Sequence, residues 1–363
     1  MQHPELLAAI RRNCEISDAR DNGIYSICTL VLKLRNLYKW EHDLQPWEEP
    51  DSGILLDWIE QKEDSWEGLA NAPFEVFPVN GNELRAWDMG GVNGLLRERN
   101  LIYGAGYGLS MKAVFFVAEL LDSLEVEGCP VLIMGREHAK ELSSPFAMLQ
   151  DGLIYIRREP LRFFFWDQIQ EIRSSCKVSF YFALEQYGLV RDGELQRELL
   201  RECLDDIVDD EIPTFIRHEV GEHHQDIFTG ETLKKVIGNF PATIHEFVSR
   251  AVKDVLADIH PKGMLQYIIE NERKGSLGFY VGFLSGMRRV LFPEIGEAFP
   301  GFVQSGDWNL IEQAVEQCRL NNQQRAEQIE QIISQLDRLS PQRIKELFNA
   351  QILRPLDIEP PEK

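Results

Sequence analysis

From about Ser175 onward, one segment after another carries apolar residues at helical spacing, and this constrains the fold more than any other feature of the chain. The segments GETLKKVIGNF, ATIHEFVSRAVKDVLADI, GMLQYIIENER, SLGFYVGFLSGMRRVLF, DWNLIEQAVEQC and RAEQIEQIISQLDRL follow one another with short connections. Short connections favour antiparallel neighbours packed as a bundle. Thr243 and Glu246 fit a capping box at the head of one of these helices.

The first half reads differently. Helices are expected over residues 4–20, 24–42 and from Pro50 to Leu69, with a fourth over 82–99 weakened by Gly90, Gly91 and Gly94, each costing about 1 kcal/mol against Ala. Short apolar runs then begin at Leu101, Lys112, Pro130 and Leu153, separated by Gly106, Gly108, Gly128 and Gly152. These predict a small antiparallel sheet, with a short helical insert over 137–150 and a helix opening at Pro160. The expected fold class is therefore α+β, mainly α. Its divisions are 1–174 (helices plus sheet), 175–345 (helical bundle) and 346–363 (extended or disordered tail).

The formal charge of −21 argues against phosphate backbones and anionic lipid as partners, so neither nucleic acid nor membrane is expected. Charge is uneven: residues 97–177 carry 10 basic and 11 acidic side chains, so an anionic ligand should favour that stretch. No apolar run reaches membrane-spanning length and no secretory signal is read at the N-terminus. The six cysteines (Cys14, Cys28, Cys129, Cys176, Cys203, Cys318) include no CxxC pair, which fits reduced, mostly buried thiols and a cytoplasmic protein.

Residues 218–226, HEVGEHHQD, hold three of the eight histidines. On a helix starting at Pro213, Glu219 and His223 stand one turn apart beside the apolar stripe of Ile212, Ile216, Val220 and Ile227, a spacing that lets two side chains reach one ion. His218, Glu222 and Asp226 lie further round, toward solvent or another element. The candidate metal set is Glu219 and His223, completed by Glu222, His218 or His245. Its mix of imidazole and carboxylate suits Fe, Mn, Zn or Ni. Two metalloprotease patterns fail, because HExxH needs histidine where Glu222 stands and HxxEH needs it where Glu219 stands. The ordinary alternative is a solvated helix with His–Glu hydrogen bonds.

Other features carry weaker signals. Asp254 and Asp258 form an i,i+4 carboxylate pair that can hold a hard cation, or simply be solvated. Glu41, His42, Asp43, Glu48 and Glu49 beside Trp40 and Trp47 either close a site over the bundle or form an acidic helix end anchored by its tryptophans. Gly104, Gly106 and Gly108 spell GxGxG, but a strand-like run follows where a dinucleotide fold needs a helix, so a hairpin turn and no nucleotide cofactor are expected. Arg97, Arg99, Lys112, Arg136, Arg157, Arg158 and Arg162 offer an anion-binding surface or a solvated face. Gly278, Gly282 and Gly286 recur every fourth residue, which points to close approach of a neighbouring helix or to a ligand in the groove. No serine or cysteine sits in a nucleophile signature.

The segments CEISDARDNGIYSICTLVLKLRNLYKWEHDLQPWEEPD, HEVGEH and RAVKDVLADIHPKGMLQYIIENERKGSLGFYVGFLSG make the chain resemble a group of functionally uncharacterised bacterial proteins. The resemblance implies no reaction. From the residues, the leading expectation is a cytoplasmic metal-binding protein, hydrolytic or redox-active only if the ion keeps an open position. The alternatives are a structural or protein-interaction module without catalytic activity, selecting a basic partner by its acidic surface, and a small-anion-binding protein.

Overall fold

The computed structural model describes residues 3–79, 82–108, 111–228 and 230–359. The chain forms two compact units, one of residues 1–171 with 201–212 and one of residues 172–200 with 213–363.

The first unit opens with α1 (His3–Asp21), α2 (Ile27–Glu41) and α3 (Ser52–Glu67). Their starts follow local chemistry: Ser26 Oγ accepts the Thr29 N–H at 3.3 Å, and Asp51 Oδ1 accepts those of Gly53 and Ile54. The helix expected over 82–99 is shorter. Residues Asn82–Leu84 form β2, paired with β1 (Phe77–Val79), and α4 runs only from Met89 to Leu96. Asp88 supplies its start by accepting the Gly91 N–H at 2.9 Å, so a cap inside the segment overrides the longer helical reading.

The sheet comprises β3 (Leu101–Tyr107), β4 (Ala113–Val126), β5 (Cys129–Ala139), β6 (Ala147–Gln150) and β7 (Leu153–Arg157), in the order β3-β4-β5-β7-β6. It is antiparallel except that β5 and β7 run parallel, in register from Val131↔Ile154 to Met134↔Arg157. Two tight turns connect neighbours with paired left-handed residues, Glu127–Gly128 between β4 and β5 and Asp151–Gly152 between β6 and β7. Such turns match the twist of the strands they join. The expected GxGxG hairpin turn is instead mostly strand. Gly104 lies opposite Phe116, and a Cβ there would sit 2.1 Å from its ring, so the glycine is needed for the aromatic ring to lie across β3. The helical insert expected over 137–150 is also absent. Residues up to 139 continue β5, and Glu141 then accepts Ser143 Oγ and the Ser144 N–H, fixing a turn before β6.

Helix α1 packs on this sheet through Leu6, Ile10 and Cys14, whose neighbours include Phe77, Tyr103 and Phe115. Helix α5 (Arg158–Gln170) follows β7 directly and buries Leu161, Phe165 and Ile169. The unit also buries charge. Lys112 Nζ lies 2.7 Å from Asp18 Oδ1, and Arg157 Nε lies 2.6 Å from Glu137 Oε1 and bridges to Glu141.

The second unit is helical apart from a small hairpin, β8 (Val190–Arg191) with β9 (Glu194–Leu195). Its helices are α6 (Lys177–Gln186), the 213–224 part of α7 (Leu200–His224), α8 (Gly230–Asn239), α9 (Ile244–Asp258), α10 (Met264–Glu270), α11 (Lys274–Phe283), α12 (Gly286–Leu291), α13 (Pro293–Ser305), α14 (Asn309–Ile333) and α15 (Pro341–Phe348). The stripe expected on α9 is buried in full: Val248, Val252, Val255, Leu256 and Ile259 join Ile268, Leu277, Phe292 and Ile329 in one core. The glycine spacing has a direct cause. Cβ atoms on Gly278 and Gly282 would meet Ser179 O and the Phe180 ring of α6 at 2.8 and 2.7 Å. Neighbouring helix, rather than ligand, fills that groove. Gly286, at φ +52°, opens α12 and ends the run.

The tail expected to be extended from residue 346 is helical over much of its length. A π-helical turn spans Asn349–Leu353 and a 3-10 turn Arg354–Leu356, with Ile352 and Leu353 buried in the bundle core. Residues 360–363 lie outside the described residues. Among the described residues, no helix is long and apolar enough to cross a membrane.

Candidate metal centre

The helix expected to start at Pro213 begins at Leu200 and carries the proline in its interior. Leu204, Ile207, Val208 and Ile212 already hold helical spacing before it and are all buried, which overrides the start signal of the proline. Beyond Pro213 the same face continues through Ile216 and Val220.

Gly221, in the middle of HEVGEHH, sets the geometry. A Cβ on it would lie 2.0 Å from the Ala257 carbonyl oxygen, so α7 and α9 meet backbone to backbone there. This contact brings two i,i+4 pairs face to face: His218 and Glu222 on α7, Asp254 and Asp258 on α9. His218 Nδ1 lies 2.6 Å from Asp258 Oδ1. The other oxygen of Asp258 accepts from Tyr280 Oη at 3.1 Å and from Arg288 Nη2. Ligand atoms of His218, Glu222 and Asp254 all lie within 4.8 Å of one another. Lys253 Nζ donates to Glu222 Oε1, and Glu219 is buried alongside.

The electrostatics follow from burial and pairing. Burial alone would lower the His218 imidazolium, but the Asp258 carboxylate raises it to about 9. Burial raises Glu219 to about 7, and Glu222 and Asp254 push the same way against His218 and Lys253. Asp254 is raised by burial, against Arg288 and His218. Asp258 ends below the ordinary carboxylate range, because Arg288 and His218 outweigh its burial. With its Nδ1 held by a carboxylate, the ring would turn Nε2 toward an ion, which must first displace the proton that the raised pKa keeps there.

The five residues singled out from sequence are distributed as follows. His218, Glu222 and Glu219 cluster against α9. His223 is exposed, with its ring 5.0 Å from that of His224. His245 is buried elsewhere in the same unit, its Nε2 2.9 Å from Asn349 Oδ1 and its ring against Phe240 and Phe348. Arg288 and Tyr280 were not singled out from sequence, and Asp254 and Asp258 were noted only as an i,i+4 carboxylate pair. The available signal was Gly221 itself, three residues after His218, together with the matching spacing of 218/222 and 254/258.

The acidic N-terminal residues are engaged within the first unit. The His42 ring stacks on Tyr38 at 4.0 Å, Glu41 pairs with Lys62, Glu49 with Lys39 and Asp43 with Arg136, while Trp47 packs on Trp166. Several basic residues of the sheet region are likewise paired: Lys112 and Arg157 as described, Arg158 with Asp205 and Asp209, and Arg162 with Asp205. No disulfide forms among the six cysteines, of which Cys28 is exposed and Cys14, Cys129, Cys176 and Cys318 are buried.

No curated protein and no solved structure matches the chain. Residues 5–157 match the N-terminal domain, and residues 162–351 the C-terminal domain, of a family of unknown function (DUF6866). Between them the two matches cover nearly all of the sequence, and the chain belongs to that family.

Proposed function

We propose that this protein binds a divalent transition metal in its second unit, with His218 Nε2 and the carboxylates of Glu222 and Asp254 as ligands and Glu219 beside them. The observation that carries the reading is that His218, Glu222 and Asp254, from two helices, each bring a ligand atom within 4.8 Å of the others. One imidazole and two carboxylates suit Fe, Mn, Zn or Ni, and three protein ligands leave room for water on the ion. An ion held this way polarises a bound oxygen or acidifies its water, which is the basis for hydrolytic or redox chemistry at this place. Asp258, braced by Arg288 and Tyr280, fixes the His218 ring. The lack of a disulfide among the six cysteines supports a reducing, cytoplasmic setting.

A second reading rests on Lys253. Its ammonium already sits on Glu222, so the cluster also works as a charge-paired polar core that locks α7 onto α9 in a non-catalytic module. Elemental analysis of protein purified without a histidine tag separates the two. Near-stoichiometric metal in the parent, lost in folded Glu222→Gln and Asp254→Asn and kept in His223→Ala, supports the metal centre. A parent that is metal-free and takes up none of the four added ions leaves the polar core.

A further inference from the structure

A cleft of about 610 Å³ opens on the first unit, within the size range of small-ligand sites. Its apolar wall is built by Trp40 of α2, Leu44, Leu121 of β4 and Phe163 of α5. Leu121 is 56% exposed and lies over Gly135 of β5, where a Cβ would stand 3.0 Å from its Cδ2.

Three arginines line the same space, Arg136, Arg158 and Arg162, against two carboxylates, Asp43 and Glu159. In a chain of net charge −21 this lining carries a surplus of positive charge. Both acids are engaged, Asp43 by Arg136 and Glu159, through Oε2, by the Glu137 N–H at 2.9 Å.

Arg158 and Arg162 stand one turn apart on α5 and are held in the same way. Both donate to one oxygen, Asp205 Oδ1, from Arg158 Nη2 at 2.9 Å and from Arg162 Nε at 2.7 Å, so the two guanidinium groups are close enough to meet a single small ligand. Asp209 takes Nε and Nη2 of Arg158, and Gln45 accepts from Arg162 Nη2 at 3.2 Å. The partners thus occupy the Nε and Nη2 edge of each guanidinium. Nη1 of each has no partner among the described residues and, unlike the orphaned nitrogens of Arg35 and Arg157, is open to solvent. A guanidinium fixed along one edge and open at the other is preorganised for a second oxyanion, because its planar fork fits carboxylate and phosphate oxygens. Arg136, 60% exposed, adds a third cation, and its pairing with Asp43, 76% exposed, is of the weak surface kind.

We infer that this cleft binds a small organic anion, a carboxylate or phosphate ester on an apolar body, with its oxygens on Arg158 and Arg162 and its body against Trp40 and Leu121. The site is independent of the metal reading, since every residue it uses belongs to the first unit.

The test is calorimetric titration of the full chain with phenylacetate, hexanoate and phenyl phosphate. Phenylacetamide serves as the neutral counterpart of phenylacetate, and acetate and inorganic phosphate as anions without a body. Saturable one-to-one binding of at least one of the first three is expected, with the controls at least about tenfold weaker, as the loss of charge-assisted hydrogen bonds or of the apolar contact implies. Whichever of the carboxylates and the phosphate ester binds tighter assigns the oxyanion. Arg162→Gln should weaken that binding about tenfold or more. Because this change also releases Asp205, Leu121→Asp serves as the second variant: it leaves all three arginines in place, alters a side chain already at the surface, and should weaken binding at least about fivefold by placing a carboxylate in the cleft. No saturable binding of any of the three organic anions overturns the inference. So does phenylacetamide or inorganic phosphate binding as tightly as the best of them, or organic-anion binding that folded Leu121→Asp leaves unchanged.

Discussion

Gly221 and Ala257 bring α7 and α9 so close that no side chain fits between them: a Cβ at position 221 would stand 2.0 Å from the Ala257 carbonyl oxygen. The obstacle is backbone, which cannot rotate away. Gly221→Ala should therefore push the helices apart and cost about 2–3 kcal/mol, at the upper end for overpacking. Urea denaturation gives the stability, and under the proposed metal-binding reading the variant should also lose metal as Glu222 and Asp254 separate. A variant as stable as the parent would mean the two helices do not meet as described.

Asp258 is fully buried and serves His218, Tyr280 and Arg288 together. Asp258→Asn leaves the half-buried Arg288 and His218 facing a neutral group, and losing hydrogen bonds to a charged partner costs about 1.5–3 kcal/mol. Tyr280→Phe, which removes one hydrogen bond and no charge, should cost about 1 kcal/mol. Thermal and denaturant unfolding of both variants should rank them in that order.

His245 gives the protein a sensitivity to acid. Burial lowers its pKa below 6.5, and the nearby Lys345 acts in the same direction while Asn349 opposes it. A group that binds its proton more weakly when folded contributes stability that is present above the unfolded pKa and is lost as pH falls through the folded one. Stability should thus decline from pH 6.5 downward on this account, and His245→Gln, which keeps a donor for Asn349 without a titrating ring, should flatten the decline. Denaturant midpoints measured between about pH 7.5 and 5.5 check it. An unchanged slope in the variant would remove His245 as the cause.

Gly104 and Phe116 form a matched pair across β3 and β4, with the ring lying where a Cβ would be. Gly104→Ala should cost about 2–3 kcal/mol, and much of that should be recovered when Phe116→Leu is added. The double-mutant cycle should show coupling above about 0.5 kcal/mol; additive costs would mean the two positions do not compete for space.

What could be read from sequence follows the range of the interactions involved. The helical second half, the buried stripe of α9, the glycine-lined approach of α11 to α6 and the start of α5 near Pro160 all rest on spacing within one segment. The shortened α4, the strand pairing at 77–84 and the in-strand role of Gly104 depend on partners elsewhere in the chain. The cluster at His218 shows the same divide. Spacing on α7 singled out the right stretch of helix, but which side of it meets a neighbour was decided by Gly221 against Ala257. Arg288 and Tyr280 carried no local signal, since their role exists only through Asp258.

The division of the chain into units has a consequence for its synthesis. The first unit takes residues 201–212 as well as 1–171, and Asp205 and Asp209 from that return segment pair with Arg158 and Arg162. As the polypeptide leaves the ribosome, α5 emerges with these two arginines lacking their carboxylates, and they stay so until the first turns of α7 follow. The N-terminal half is therefore not finished when its last contiguous residue has been made. Its completion waits on a stretch of chain that comes after the opening of the other unit.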